Sequence, residues 1–359
     1  MDDVISKLGD GLWNAFLMAW EVWWALVLGF FISAVVQAWV PRERVESALS
    51  GEGLRPVAKA TGLGAASSSC SYAAIAIARS LFEKGAGVAS ALAFQFASTN
   101  LVWELGLVLW VLIGWQFTLA EYLGGIVMIG LMWALVRLFV PRPLEREARE
   151  HAQHAAAGHH HHHGGGERSW YDVAENFRGD WRMLWKEITI GFLLAGFIAL
   201  LGDDFFNGLF LKDSSAAVQT IWGAFVGPLI AVLSFVCSVG NVPLAAVLWS
   251  GGISFAGVMA FIFADLIVLP IVVAYRKYYG TAFALRITAL MFVTMVLAAL
   301  AIDLLFGAVG LIPDERPSTD DVFGTIELDY KAALNAIALV IFVALFAMRE
   351  RVHPRPVHS

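Results

Sequence analysis

Ser69-Cys70-Ser71-Tyr72-Ala73-Ala74 and Val236-Cys237-Ser238-Val239-Gly240-Asn241 carry the chain's two cysteines, 167 residues apart (237 minus 70). Set one on the other and the correspondence runs on without a gap. Ala78 meets Ala245, Leu81 meets Leu248 and Gly85 meets Gly252. Ala93-Phe94-Gln95-Phe96-Ala97 then meets Ala260-Phe261-Ile262-Phe263-Ala264. The same spacing lays residues 11–40 over 178–207 and 119–140 over 286–307. Duplicated apolar segments, each with a polar break, are the pattern of membrane folds assembled from repeats.

Composition points the same way. Of 359 residues, 59% are hydrophobic and 15% charged, and the mean hydropathy is +0.70. A soluble domain carries about a quarter charged residues. Apolar runs cover 13–40, 88–113, 119–140, 188–201, 253–274, 287–306 and 332–348, most of them near the roughly 20 residues that cross a bilayer as a helix. The predicted fold class is all-α, a polytopic membrane protein. The acidic start Met1-Asp2-Asp3 shows no basic region of a cleavable leader. The 14 tryptophans suit membrane-interface anchoring. No basic stripe suggests nucleic acid, and two cysteines make no disulfide framework. No Gly-x-x-x-x-Gly-Lys-Ser/Thr loop is present, so ATP is not the expected energy source. Every histidine lies in the central linker or the tail, away from Ser69 and Ser71, which argues against Ser-His hydrolysis. The expectation is a non-enzymatic chain without a cofactor.

Basic residues assign the sides. Asp2, Asp3 and Asp10 put the N-terminus outside, and Arg42, Arg44, Arg55 and Lys59 follow inside. Gly114-Trp115-Gln116 is outside, Arg142, Arg146, Arg149, Arg168, Arg178 and Arg182 inside, Asp203-Asp204 outside, and Arg276-Lys277 inside. The acidic stretch 314–329 is outside, and the tail with Arg349, Arg351 and Arg355 is cytoplasmic. For this alternation to hold, residues 51–84 and 213–251 must be hairpins entering from opposite faces, re-entrant or doubly spanning, each with its cysteine near the bend. The reading is two repeats of inverted topology in an inner membrane, seven spans plus two hairpins. Its parts are repeat 1 (1–141), a cytoplasmic His-rich linker (142–180), repeat 2 (181–310), an acidic outer loop (311–327) and an extra C-terminal helix (328–349).

The breaks hold the candidate binding groups: Ser69, Cys70 and Ser71 in the first, Cys237, Ser238 and Asn241 in the second. Their thiols are soft ligands suited to soft metals or trivalent metalloids, although a buried cysteine also serves as a small apolar residue. Pro243 suits the first turn of the next half-helix. Half-helices starting at the breaks would aim their positive ends at mid-membrane, favouring an anionic or electron-rich solute. Intramembrane carboxyls mark function by default. Asp265 stands where repeat 1 has Ser98. Glu104 follows Asn100 by four residues, on one helical face, and Gln95, Ser98, Thr99 and Asn100 complete a polar seam. Asp265 and Glu104 are the candidates for proton or cation coupling, with Glu21 a third. His159, His160, His161, His162 and His163 could capture a divalent metal, or simply form a solvated tract.

Ser67-Ser68-Ser69-Cys70-Ser71-Tyr72-Ala73-Ala74, Phe94-Gln95-Phe96-Ala97-Ser98-Thr99-Asn100-Leu101-Val102 and Cys237-Ser238-Val239-Gly240-Asn241-Val242-Pro243-Leu244-Ala245 resemble the predicted permease family that includes the trivalent organoarsenical efflux permeases. The resemblance covers both repeats and leaves out the linker. It implies a multi-pass inner-membrane permease moving a small solute, a soft metal, a metalloid or an organic derivative of one. The first hairpin holds one cysteine, where the arsenical exporters have a Cys-Ser-Cys-Gly-like motif. A permease for a hard metal ion or small anion with incidental cysteines, and a non-transport membrane protein, stay open as alternatives. The expected partners are the lipid bilayer, the solute and a divalent metal at the linker.

Overall fold

The computed structural model describes residues 2–39, 53–67, 71–83, 85–156, 169–234, 238–316 and 330–348, and the described residues are helical with no β-strand. The first half comprises α1 (Asp2–Trp39), α2 (Leu54–Ser67), α3 (Ser71–Glu83), α4 (Val88–Asn100), α5 (Trp103–Leu112) and α6 (Trp115–Phe139). A connecting helix α7 (Arg142–Ala156) leads toward α8 (Trp170–Ile198), which passes through a 3-10 turn into α9 (Gly202–Phe210). Then come α10 (Ala216–Ser234), α11 (Ser238–Ser250), α12 (Phe255–Phe263), the 3-10 turn Ala264–Ile267, α13 (Leu269–Tyr279), α14 (Thr281–Ala308) and α15 (Tyr330–Ala347).

Among the described residues, α6, α10, α14 and Phe255–Tyr279 are each long and apolar enough to cross a membrane; α4 with α5 forms a fifth stretch, bent by 42° at residues 101–102. The stretches Ile188–Leu201, Ser238–Ser250 and Lys331–Ala347 are shorter. Bulky apolar side chains such as Leu138, Leu233, Leu304 and Val340 face outward. In water such a surface would aggregate, whereas in lipid it is the solvated face.

The helices recur at the spacing read from the sequence. Shifting α3 by 167 residues gives the bounds of α11, Ser238–Ser250, and shifting α4 gives α12 together with the turn that ends at Ile267. Contacts repeat as well: α2 packs along α4 as α10 packs along α12, and α1 packs along α8. Both pairs need glycine at the crossing. A Cβ on Gly64 would lie 2.4 Å from the Phe94 carbonyl oxygen, and one on Gly227 would lie 2.4 Å from that of Gly257. Such small-residue contacts let helix backbones approach where apolar burial gives no drive.

The ends of α3 and α11 match in detail. Gly85 and Gly252 have φ of 102° and 101°, a region closed to most L-residues. Ala86 N donates to Leu81 O and Ile253 N donates to Leu248 O, closing each helix with a reversed turn. An arginine then seals each end. Arg149 of α7 donates to the carbonyls of Phe82 and Ala86 and lies 4.2 Å from the Phe82 ring centre. Arg316 donates to the carbonyls of Trp249 (3.0 Å) and Ile253 (2.7 Å) and lies 3.9 Å from the Trp249 ring centre. All three positions are related by 167 residues. A cation on the last carbonyls complements the negative helix end.

Two features differ from the sequence reading. The stretch 142–156, expected as solvated linker, is the helix α7, with Ala148 and Ala152 buried. Arginine anchoring explains this: beyond Arg149, Arg79 donates to the Ala152 carbonyl and pairs with Glu83. Pro243 sits inside α11, beyond its first turn, which leaves the Val239 carbonyl without its helical donor. The extra helix α15 docks on α1 through Asn335, whose Oδ1 accepts from Trp24 N (3.0 Å) and whose Nδ2 donates to Trp20 O (2.9 Å). The amide thus bridges a rung inside α1.

Candidate functional site

Asp265 is fully buried in the 3-10 turn between α12 and α13. Its Oδ2 accepts from Ser71 Oγ at 3.0 Å and from Ser238 Oγ at 2.6 Å. These serines open α3 and α11 and occupy equivalent positions, so both halves converge on one oxygen. The first turns of α3 and α11 carry partial positive charge, and with two hydroxyls they favour a carboxyl there. Each such bond to a charged acceptor contributes about 1.5–3 kcal/mol, against a penalty of several kcal/mol for a carboxylate withdrawn from water. Asp265 is therefore expensive in place, the mark of a functional group inside a membrane. The half-helix starts already face this resident carboxyl through Ser71 and Ser238.

Around it the polar seam is partly satisfied. Gln95 Nε2 donates to the Tyr275 hydroxyl. Asn100 Nδ2 donates to Phe96 O (3.1 Å) and to Thr99 Oγ1 (2.9 Å). Ser98 and Thr99 turn their hydroxyls back to the Gln95 carbonyl. Asn241 Oδ1 accepts from Ser234 at 3.3 Å. That leaves Gln95 Oε1, Asn100 Oδ1, Asn241 Nδ2 and Asp265 Oδ1 buried without a partner among the described residues. Native interiors rarely tolerate such a group of atoms.

Glu104 is buried in the first turn of α5. The helix breaks between Asn100 and Glu104, so these two do not share a continuous helical face as expected. The chain kinks because Leu101 and Val102 leave helical geometry, and α6 ties itself to the start of α5 by hydroxyls that bond its carbonyls. Tyr122 donates to Val102 O (3.2 Å) and Thr118 to Gly106 O (3.0 Å).

The sequence reading passed over Glu121. It lies on α6 at 0% exposure, with neither carboxyl oxygen hydrogen-bonded among the described residues, one turn before Gly124, which packs against Phe263 two residues from Asp265. Its signal was available: an acidic residue near the start of an apolar run. Arg149 and Arg316 were likewise missed as a pair, although the 167-residue spacing relates them.

The structure thus brings together Ser71, Ser238 and Asp265, with Asn100, Asn241 and Glu104 buried in the same helix assembly. Ser69, Cys70 and Cys237 lie outside the described residues, as do His159, His160, His161, His162 and His163 and the side chain of Glu21. Among the described residues no group of three or more His, Cys, Asp or Glu is placed to hold a metal ion.

The profile of the family described as "Predicted permease" matches residues 14–304. A Mycobacterium tuberculosis (strain ATCC 25618 / H37Rv) protein named "Putative permease Rv2963" is 46% identical over 322 residues, covering 85% of this chain and 79% of the relative. No solved structure matches the chain. The matched region takes in both breaks, Asp265 and all but the last residues of α14, and on that extent the chain belongs to the predicted permease family.

Proposed function

We propose that the chain is a secondary transporter in which a small solute passes between the two half-helix starts, with Asp265 as the group that couples this movement to an ion gradient. The observation that carries the reading is the shared acceptor: Ser71 and Ser238 bind one oxygen of Asp265. A change in the charge of that carboxyl weakens or strengthens both bonds together, so one ion-binding event is felt by both halves. Inverted repeats entering from opposite faces would turn that event into alternating access.

Cys70 and Cys237 immediately precede the two serines in the sequence. Two soft thiols adjoining these serines in the sequence favour a soft metal, a trivalent metalloid or an organic derivative of one. Growth resistance to arsenicals, antimonials and transition metals, compared in cells with the chain, without it and with Cys70→Ser/Cys237→Ser, tests the solute class. Protection that survives the double substitution assigns the solute to other groups. Reconstituted vesicles test the coupling: Asp265→Asn is expected to abolish the dependence of transport on an imposed ion gradient. Unchanged coupling in that variant rules out Asp265.

A further inference from the structure

Glu121 has no structural employment that the described residues reveal. Among the described residues both of its oxygens are buried without a hydrogen-bond partner, as is Asp265 Oδ1. The side chain stands one turn before Gly124 and Gly125. A Cβ on Gly124 would fall 2.3 Å from the Phe263 ring, and one on Gly125 would fall 2.7 Å from Leu101 and 3.7 Å from Asn100 Cβ. This face of α6 therefore crosses both helix interruptions, at residues 101–102 and at the turn bearing Asp265. Interrupted helices leave carbonyls and carboxyls at membrane depth, where they serve as hard oxygen ligands. Two buried carboxyls on packed elements, with no ion pair to either among the described residues, are poorly solvated and mutually repulsive when both are charged. One positive charge between them relieves both costs.

We propose that Glu121 and Asp265 form a binding site for a single hard monovalent cation, a proton or a sodium ion, at the breaks of the two interrupted helices. The site rests on the transporter reading for its purpose and supplies the ion which that reading requires. Other titratable groups on the elements around it are Glu104 of α5, Tyr122 of α6 itself, whose hydroxyl donates to Val102 O, and Tyr275 of α13, whose hydroxyl accepts from Gln95. Packed on α6, α14 contributes Asp303, which accepts from Ala256 N, and Arg286, which donates to Phe139 O. Arg79 and Arg149 are paired with Glu83 and Glu145. Among the described residues no ion pair reaches Glu121 or Asp265.

The test uses the purified full-length chain and needs no solute. Melting temperature is followed as sodium replaces choline at constant ionic strength. In parallel, a hydrophobic carbodiimide, which attaches to protonated carboxyls shielded from water, is applied across a pH series and mapped by peptide mass spectrometry. A sodium site raises the melting temperature by a few degrees once sodium is tenfold above its dissociation constant; Glu121→Gln and Asp265→Asn flatten that rise, and sodium suppresses attachment at Glu121. A proton site gives attachment at Glu121 that falls with rising pH, ignores sodium and shifts along the pH axis in Asp265→Asn. Neither carboxyl labelled at any pH, with melting indifferent to sodium, overturns the proposal. Should Glu121→Gln fail to fold, the wild-type titration and labelling still decide. Cation binding without vesicle transport would remove the transporter reading and keep the site; transport without cation binding would do the reverse.

Discussion

The junction at Asp265 makes a quantitative demand. Ser238 and Ser71 donate to the same oxygen, at 2.6 and 3.0 Å. Ser238→Ala should cost about 1.5–3 kcal/mol, the range for a hydrogen bond to a charged acceptor. Ser71→Ala should fall toward the lower end, because its bond is longer. Asp265→Asn keeps an oxygen acceptor but makes it neutral, and each serine then contributes only about 0.5–1.5 kcal/mol. In Asp265→Ala the hydroxyls lose their acceptor, so either serine substitution should become nearly silent. The double-mutant cycle between Ser238→Ala and Asp265→Ala therefore has a coupling energy of roughly 1–3 kcal/mol, and the Ser71 cycle a slightly smaller one. Reversible unfolding of the purified chain in mixed micelles, followed by circular dichroism, reads these values. Additivity to within about 0.5 kcal/mol in both cycles would mean the serines do not share Asp265, and the argument for a common junction would fail with it.

Three further outcomes follow from the same unfolding measurement. Arg149→Ala and Arg316→Ala each remove two bonds to helix-end carbonyls, and should lose about 1.5–3 kcal/mol apiece, within about 1 kcal/mol of each other because their geometry repeats; lysine at either position should recover little, lacking the fork and the flat ring contact. Gly191→Ala would place a Cβ 2.2 Å from the Gly240 carbonyl oxygen, and should cost about 1–3 kcal/mol of overpacking while pushing on α11 two residues from Ser238. Asn335→Leu removes both bonds that tie α15 to the Trp20–Trp24 rung of α1, and since that rung can still close within the helix the loss should be about 0.5–1.5 kcal/mol.

How legible was this in the chain? The spacing of 167 placed α3 and α11 well, because a helix bounded by a conserved-length break and a glycine turn is a local property that repeats with the sequence. The polar residues were also legible one by one: Asp265 and Asn100 stand out in apolar runs. Their partnerships were not. Nothing local says that Ser71 and Ser238 meet on Asp265, a contact across 194 residues. The helical face assumed for Asn100 and Glu104 failed because Leu101 and Val102 carry no proline or glycine to announce a break; tertiary packing makes it. Likewise α7 looked like linker since its surface is charged, and only its contact with α3 reveals that Arg149, Ala148 and Ala152 point inward.

The places where the duplication is kept, and where it is lost, sort the residues by role. Gly85 and Gly252, Arg149 and Arg316, and Ser71 and Ser238 recur because they close, cap or join helices, and a fold with two similar halves needs each device twice. Most of the buried groups with atoms unpartnered among the described residues do not recur in kind. Gln95 answers to Ile262, Asn100 to Ile267, Asn241 to Ala74 and Asp265 to Ser98; Glu121 answers to Thr288, whose hydroxyl is also buried and unpartnered among the described residues, so that position keeps a polar group and loses the charge. A structural network gains nothing from losing its symmetry, since each replaced partner strands a buried atom. A site for one small ion or solute does, because a single occupant cannot satisfy two identical sets of ligands at once. The asymmetry thus falls mostly on atoms that lack partners among the described residues, which is where a single occupant would be bound.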